Sequence, residues 1–241
     1  MKNMDDQLLT DILAHSPIFH GIAPEKIRRK FLPAMHLVHF QKQMKRRGFL
    51  TSRYFYLVAR GVVHGFLMNE DGERKVTLFV LRKGDGFDVI TLLDEQNSMV
   101  SYDCLGMDVT CLAVPLAEMK NWGRQEPEIA KALLLYMGRL LLELEELVFD
   151  LSLNDTATRL IKLLLKHADT TIEKDHGVPV LHHLTHEELA SLIGSVRVVV
   201  NRQLKKLKEM SLIEMEKGKV IINDLKALME MMEKHTREMR K

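Results

Sequence analysis

The sequence predicts an α+β chain built as an antiparallel β-roll of jelly-roll type, one long helix and a winged helix-turn-helix, in that order. Three observations predict it. Between residues 35 and 115, short runs rich in β-branched and aromatic residues alternate with glycine turns. From residue 127 to about residue 151, apolar residues recur in heptads with no breaker except Gly138. From Thr185 onward, a helix-start signature, a glycine turn and a basic helix follow one another as two crossed helices require. The composition permits this: 241 residues suit two compact domains, and 46% hydrophobic with 28% charged residues supplies ordinary cores and excludes disordered or collagen-like chains. Lys plus Arg is 35 against 33 Asp plus Glu, a net charge of +2, so affinity for nucleic acid has to come from local clustering.

The first thirty-odd residues, punctuated by Ser16-Pro17 and Ala23-Pro24, read as short helices that lead into the first domain without forming its core. Pro24 suits a first helical position, where its missing N–H is not needed. Strands are then expected at Leu37-Val38, Tyr54-Phe55-Tyr56-Leu57-Val58, Val62-Val63, residues 76–81 and residues 109–114. Turns at Arg60-Gly61, Asp71-Gly72 and Gly84-Asp85-Gly86 separate them, and Asp71-Gly72 is expected to form a two-residue type I′ hairpin turn. Domain boundaries are placed at 1–125 for the roll, 126–153 for the long helix and hinge, and 154–241 for the C-terminal domain.

In the long helix Ala130, Leu133, Met137, Leu140, Leu144, Leu147 and Leu151 step alternately by three and four residues. Such a seam favours a left-handed coiled coil, so Leu133, Met137, Leu140, Leu144 and Leu147 are expected to dimerise the chain. A second row, Leu134, Leu141 and Val148, lies beside the first and makes the stripe wider than a two-stranded seam requires, so one face is expected on a partner helix and one on the β domain. The alternative is a core helix of a monomer, for which roughly 33 Å of helix is long. Ser152-Leu153-Asn154-Asp155-Thr156 breaks the helix and supplies N-caps for an amphipathic helix through Leu160, Ile161, Leu164 and Leu165; residues 170–180, with Gly177 and Pro179, read as a turn-rich connection.

Thr185-His186-Glu187-Glu188 has the capping-box pattern, and Gly194 suits the left-handed conformation that ends a helix. A second helix is expected from about Arg197 to Met210, burying Val196, Val199, Val200, Leu204 and Leu207. Ser195 to Lys208 contains five basic residues (Arg197, Arg202, Lys205, Lys206, Lys208) and no acidic one. In a DNA major groove the start of such a helix meets base edges and its basic flank meets phosphates; Arg can bridge guanine O6 and N7, and Asn adenine N6 and N7. The bland alternative is a solvated basic face. Leu212-Ile213-Glu214-Met215, a turn at Glu216-Lys217-Gly218, and Val220-Ile221-Ile222 form the wing, with Lys217 and Lys219 at its tip; Asn223-Asp224 caps a last helix containing Leu225 and Leu228.

The order of these parts, with Leu184-Thr185-His186-Glu187-Glu188-Leu189-Ala190-Ser191-Leu192-Ile193-Gly194 and Val200-Asn201-Arg202-Gln203-Leu204-Lys205-Lys206-Leu207, resembles the CRP/FNR family of bacterial transcription regulators over nearly the whole chain. Weaker matches are Pro17-Ile18-Phe19 with Gly21, Tyr56-Leu57-Val58 followed by Gly61, and Gly84-Asp85. The resemblance implies a homodimer that reads a palindromic double-stranded operator, responds to a small-molecule effector and works with RNA polymerase. It implies DNA-reading roles for Ser195, Arg197, Val198, Asn201 and Arg202, with Lys205 on the phosphate flank. The family often has Glu where this chain has Val198, and Val packs on a thymine methyl instead of accepting from cytosine N4.

Cyclic-nucleotide binders of the family carry a Glu for the ribose and an Arg followed by Ser or Thr for the phosphate. Here those positions are Val89 and Met99-Val100, so cyclic AMP binding in the usual mode is not expected, and the effector stays unidentified. No Cys precedes Cys104, which excludes the family's N-terminal iron–sulfur cluster. His36, His39 and His64 are formal haem ligands, but His36 and His39 would face opposite sides of a strand. His182, His183 and His186 have no standard zinc spacing, and no cofactor is assigned. Cys104 and Cys111 are expected as buried core thiols, a redox pair only if neighbouring strands bring them together. With no apolar leader in Met1-Lys2-Asn3-Met4-Asp5-Asp6 and charges interrupting residues 133–148, a cytoplasmic protein without a membrane span is expected. No phosphate loop, nucleophile elbow or HExxH motif is found, so no enzyme is expected; the alternative function is a ligand- or haem-binding sensor whose winged helix contacts protein.

Overall fold

The computed structural model describes residues 6–42, 53–72, 74–93, 98–167, 178–180, 184–216 and 219–238. The chain forms two compact units, one from Met1–Gly65 with Phe79–Leu144, the other from Phe66–Leu78 with Glu145–Lys241. This differs from a division at residues 125 and 153: a hairpin from the β-rich half groups with the C-terminal unit, and the long helix contributes to both.

The first unit opens with helix α1 (Asp6–Ala14), a short α2 (Pro24–Lys26) with Pro24 in its first turn, a π-helical turn (Ile27–Phe31) and a 3-10 turn (Leu32–Ala34). The expectation that this segment stays outside the core is overturned. Leu9, Ile12 and Leu13 recur on one side of α1, and with Ile18, Phe19, Ile27 and Phe31 they are buried in the same core as the strands. Phe19 and Phe31 meet Trp122 edge-to-face, with ring centroids 6.4 Å and 4.9 Å from the indole.

Strands β1 (His36–Phe40), β2 (Tyr54–Arg60), β5 (Gly86–Phe87) and β7 (Val109–Pro115) build one sheet in the order β1-β7-β2-β5. Phe55 to Ala59 of β2 are buried on both faces, which is why the run reads as continuously apolar and not alternating. Its register to β7 pairs Tyr54 with Pro115 and Leu57 with Leu112, and a bulge falls between Val58 and Arg60. Strands β3 (Val63–Met68), β4 (Lys75–Leu81) and β6 (Ser101–Cys104) form a second sheet, ordered β4-β3-β6. The β3–β4 hairpin exists but its turn is not type I′. Gly72 has φ +74° while Asp71 stays at negative φ, and the loop is closed by the pair Asn69 and Arg74.

Helix α3 (Val89–Leu93) follows β5, and α4 (Leu116–Gln125) follows β7. Trp122-Gly123 lies inside α4, where Trp122 and Met119 face the core and hold the helix through the glycine. Helix α5 (Pro127–Leu153) buries Ile129, Ala132, Leu133 and Tyr136 against this core, with Leu140 packed on its edge. The two apolar rows of α5 differ in exposure. Leu133 is 5% exposed and belongs to the chain's own core, whereas Leu134, Leu141 and Val148 are exposed, as are Leu135, Leu142 and Phe149 beside them. Met137 is at the margin, 37% exposed, and Leu144 and Leu147 are half-buried.

In the second unit α6 (Thr156–Lys166) starts at Asp155, whose carboxylate accepts from the Thr158 amide at 2.7 Å. Strand β8 (Val178–Val180), which falls in the expected turn-rich connection, pairs with β10. Helices α7 (His186–Leu192) and α8 (Arg197–Glu209), strands β9 (Ile213–Glu216) and β10 (Lys219–Ile222), and helix α9 (Leu225–Glu238) complete it. The sheet order is β8-β10-β9. Leu160, Ile161, Leu164, Leu189, Val200, Leu204, Ile213 and Leu228 share one core. No helix among the described residues is long and apolar enough to cross a membrane.

Candidate nucleic-acid interface

The interface is built on the α7–turn–α8 segment. The Thr185 hydroxyl accepts from the Glu188 amide at 3.1 Å and the Glu188 carboxylate accepts from the Thr185 amide at 2.6 Å, which completes the capping box and fixes where α7 begins. Gly194 takes φ +61°, and the Ser195 amide then reaches back to the Ala190 carbonyl at 2.8 Å. A Cβ on Gly194 would lie 2.4 Å from Leu151 Cδ2, so both the backbone angle and the close packing require glycine.

Val196 is the N-cap of α8 and no side chain caps it, leaving the first-turn amides open to an acceptor such as a phosphate. Val196 is accordingly exposed and not part of the buried stripe, and Val199 is half-buried; Val200, Leu204 and Leu207 carry the packing. The opposite side is free. Val198 is 78% exposed, and Arg197, Asn201, Arg202 and Lys205 are exposed, with Ser195 half-buried at the turn. Arg197 and Asn201, and likewise Val198 and Arg202, stand four residues apart, so they line one face in two rows. Among the described residues Lys205 makes only a long contact to Glu209, 3.7 Å between two exposed side chains, which leaves its charge available. The wing hairpin pairs Val220 with Met215, while the Lys217 tip and the Lys219 side chain lie outside the described residues.

Two residues of this unit carry no local sequence signal. The Thr77 and Ser191 hydroxyls are 2.8 Å apart, and the Arg74 guanidinium donates to the Gly194 carbonyl at 3.2 Å. Their partners are 114 and 120 residues away along the chain.

At the positions compared with a cyclic-nucleotide cassette, Val89 is buried at the start of α3 and Met99 is exposed. Aromatic rings fill the space between β2, β5 and β6: Tyr56 stacks on Phe87 at 5.2 Å, and Phe87 lies 5.0 Å from Tyr102. The Tyr102 hydroxyl accepts from the Asp88 amide at 3.1 Å. His36 packs edge-on to Tyr54, His39 shares a hydrogen bond with Thr110 at 2.9 Å, and His64 is buried. His182 and His183 lie outside the described residues, and His186 opens α7. Cys104 and Cys111 are free, buried and in different sheets; burial pushes the Cys104 thiol up to about 11 and the Cys111 thiol higher still, so both are protonated and poorly nucleophilic.

Residues 158–231 match the Crp-like helix-turn-helix domain. The chain is 31% identical to the cyclic AMP receptor protein of Thermus thermophilus over 89% of this chain and 96% of that protein. It is 31% identical to the global nitrogen regulator of Synechococcus elongatus over 69% of this chain and 76% of that one. Among solved structures, a CRP/FNR-family transcriptional regulator from Thermus thermophilus superposes with a TM-score of 0.63 at 25% identity, covering 84% of this chain and 96% of the other.

Proposed function

The chain belongs to the CRP/FNR family of DNA-binding transcription regulators, and from that premise we propose that it acts as a homodimer reading a palindromic operator under control of a small effector. One observation supports this most: behind a capped and glycine-turned α7, the face of α8 bearing Arg197, Val198, Asn201 and Arg202 is exposed and carries no acidic residue. Arg197, Asn201 and Arg202 are the base-reading side chains, Val198 selects a thymine methyl, the Ser195 hydroxyl donates to a phosphate at the helix start, and Lys205 neutralises phosphate charge. The half-sites then lie about 34 Å apart.

Pairing runs along the exposed row Leu134, Leu141 and Val148, flanked by Met137, Leu144 and Leu147, since Leu133 and Leu140 are occupied by the chain's own core. The effector differs from cyclic AMP bound in the usual way. Val89 cannot accept from a ribose hydroxyl, and neither Met99 nor Val100 offers a cation to a phosphate.

In-vitro selection from random duplex DNA at near-physiological salt, with and without a small-molecule cell extract, tests the proposal. An enriched inverted repeat supports it, and dependence on the extract identifies an effector requirement. Arg197→Ala is expected to cost about 1–3 kcal/mol on the enriched site and to relax preference at one symmetric base position. Equal losses on all sequences, or no enrichment by the folded protein, would defeat it.

A further inference from the structure

We propose that Arg74 and Thr77 are positioning residues for DNA recognition, holding the turn from which the recognition helix α8 departs; the proposal rests on the DNA-reading function above. The contacts lie within the second unit, to which the hairpin Phe66–Leu78 belongs. Thr77 and Ser191 are each 4% exposed and their hydroxyls are 2.8 Å apart, so the bond is shielded from water. Ser191 is in the last turn of α7, and Gly194, whose carbonyl accepts from Arg74, is the left-handed residue between the helices. The two contacts therefore bracket the four residues that set the direction of α8.

The hairpin is itself braced for this. Arg74 is fixed by its backbone, its amide donating to Asn69 Oδ1 at 2.8 Å and its carbonyl accepting from the Asn69 amide at 3.1 Å. Gly72 donates to the Asn69 carbonyl at 3.0 Å, and the Lys75 ammonium sits over the Phe66 ring at 4.9 Å. A guanidinium presented from a closed loop loses little freedom when it binds a carbonyl. None of this covers the reading face, where Arg197, Val198, Asn201 and Arg202 stay exposed. The hairpin grips the turn from behind and leaves the front open, which is an arrangement for pre-ordering a binding surface and not for blocking it.

The test uses the full chain and the duplex that the unmodified protein enriches from a random pool. Thr77→Val combined with Ser191→Ala removes both hydroxyls of this pair together, so neither is left facing the other's vacancy. The expected result is specific binding weaker by about three- to tenfold, binding to a scrambled duplex changed by less than about twofold, and faster amide exchange at residues 194–196. Thr77→Ser retains the bond and is expected to bind as the unmodified protein does. Arg74→Met is expected to repeat the loss. Unchanged or tighter specific binding in the double variant, equal losses on both duplexes, or unchanged exchange at the turn would overturn the proposal. Failure of the unmodified protein to enrich any sequence would instead overturn the DNA-reading function, and this proposal with it.

Discussion

The Tyr136 hydroxyl donates to the Gly86 carbonyl at 2.6 Å, joining the long helix α5 to the short strand β5. One turn further along α5, Arg139 holds Asp85 at 2.6 Å and lies over the Tyr136 ring at 4.7 Å. Gly86 has no space for a side chain, because a Cβ would lie 2.5 Å from Ile18 and 2.6 Å from Phe55. The carbonyl is therefore buried at a crowded point, where an unpaired acceptor is costly. Tyr136→Phe is expected to destabilise the first unit by about 1–3 kcal/mol, read as a lower urea midpoint with an unchanged slope.

Glu126 is buried and receives Lys26 at 2.5 Å together with Lys30. The Lys26 hydrogen bond, reinforced by that of Lys30, holds the carboxyl below its ordinary 4.5. A carboxylate whose folded-state pKa is depressed adds stability that is complete above its ordinary value and is lost as the pH falls through the folded one. Glu126→Gln is thus expected to lower the melting temperature at neutral pH. The gap between the two proteins should close as the pH drops below about 4.5; a gap constant across that range would show that the ion pairs are idle.

Gly194→Ala tests the turn directly. An L-residue at φ +61° costs about 1–2 kcal/mol, and the Leu151 side chain also has to move aside. The expected outcome is a less stable C-terminal unit and weaker specific DNA binding, measured by denaturation and by titration with the selected duplex.

Leu141 stands in the middle of the exposed row of α5. Leu141→Glu places a charge where two helices are proposed to pair, and sedimentation should show the population shifting from dimer to monomer at micromolar concentration. The control is Leu133→Ala, a core truncation, which should lower stability by about 2–5 kcal/mol while leaving the folded protein dimeric.

The helix-turn-helix was legible because its signals are local: Thr185 and Glu188 are one turn apart, and Gly194 needs only its own φ. The long helix was legible for the same reason, but its facing was not. Heptad steps through Leu133 and through Leu134 look alike in one dimension, and the choice between them is made by contacts of Leu133 and Tyr136 with a core assembled from the rest of the unit. The N-terminal helices looked peripheral because their partner, Trp122, lies about a hundred residues on, inside α4. Strand β5 has two residues and β8 contains a proline, too little pattern to read. Arg74 and Thr77 are the extreme case, since an ordinary hairpin arginine and threonine acquire a role only when the fold brings Ser191 and Gly194 to them.

Trp122 is the chain's single tryptophan, 3% exposed between Phe19 and Phe31, and it belongs to the first unit. The molecule thus carries one fluorescent lamp for two units. Its emission reports the loss of the aromatic cluster and is blind to melting confined to the winged helix, which has no indole of its own. A fluorescence transition and a far-ultraviolet dichroism transition that fail to coincide would give the order in which the units come apart.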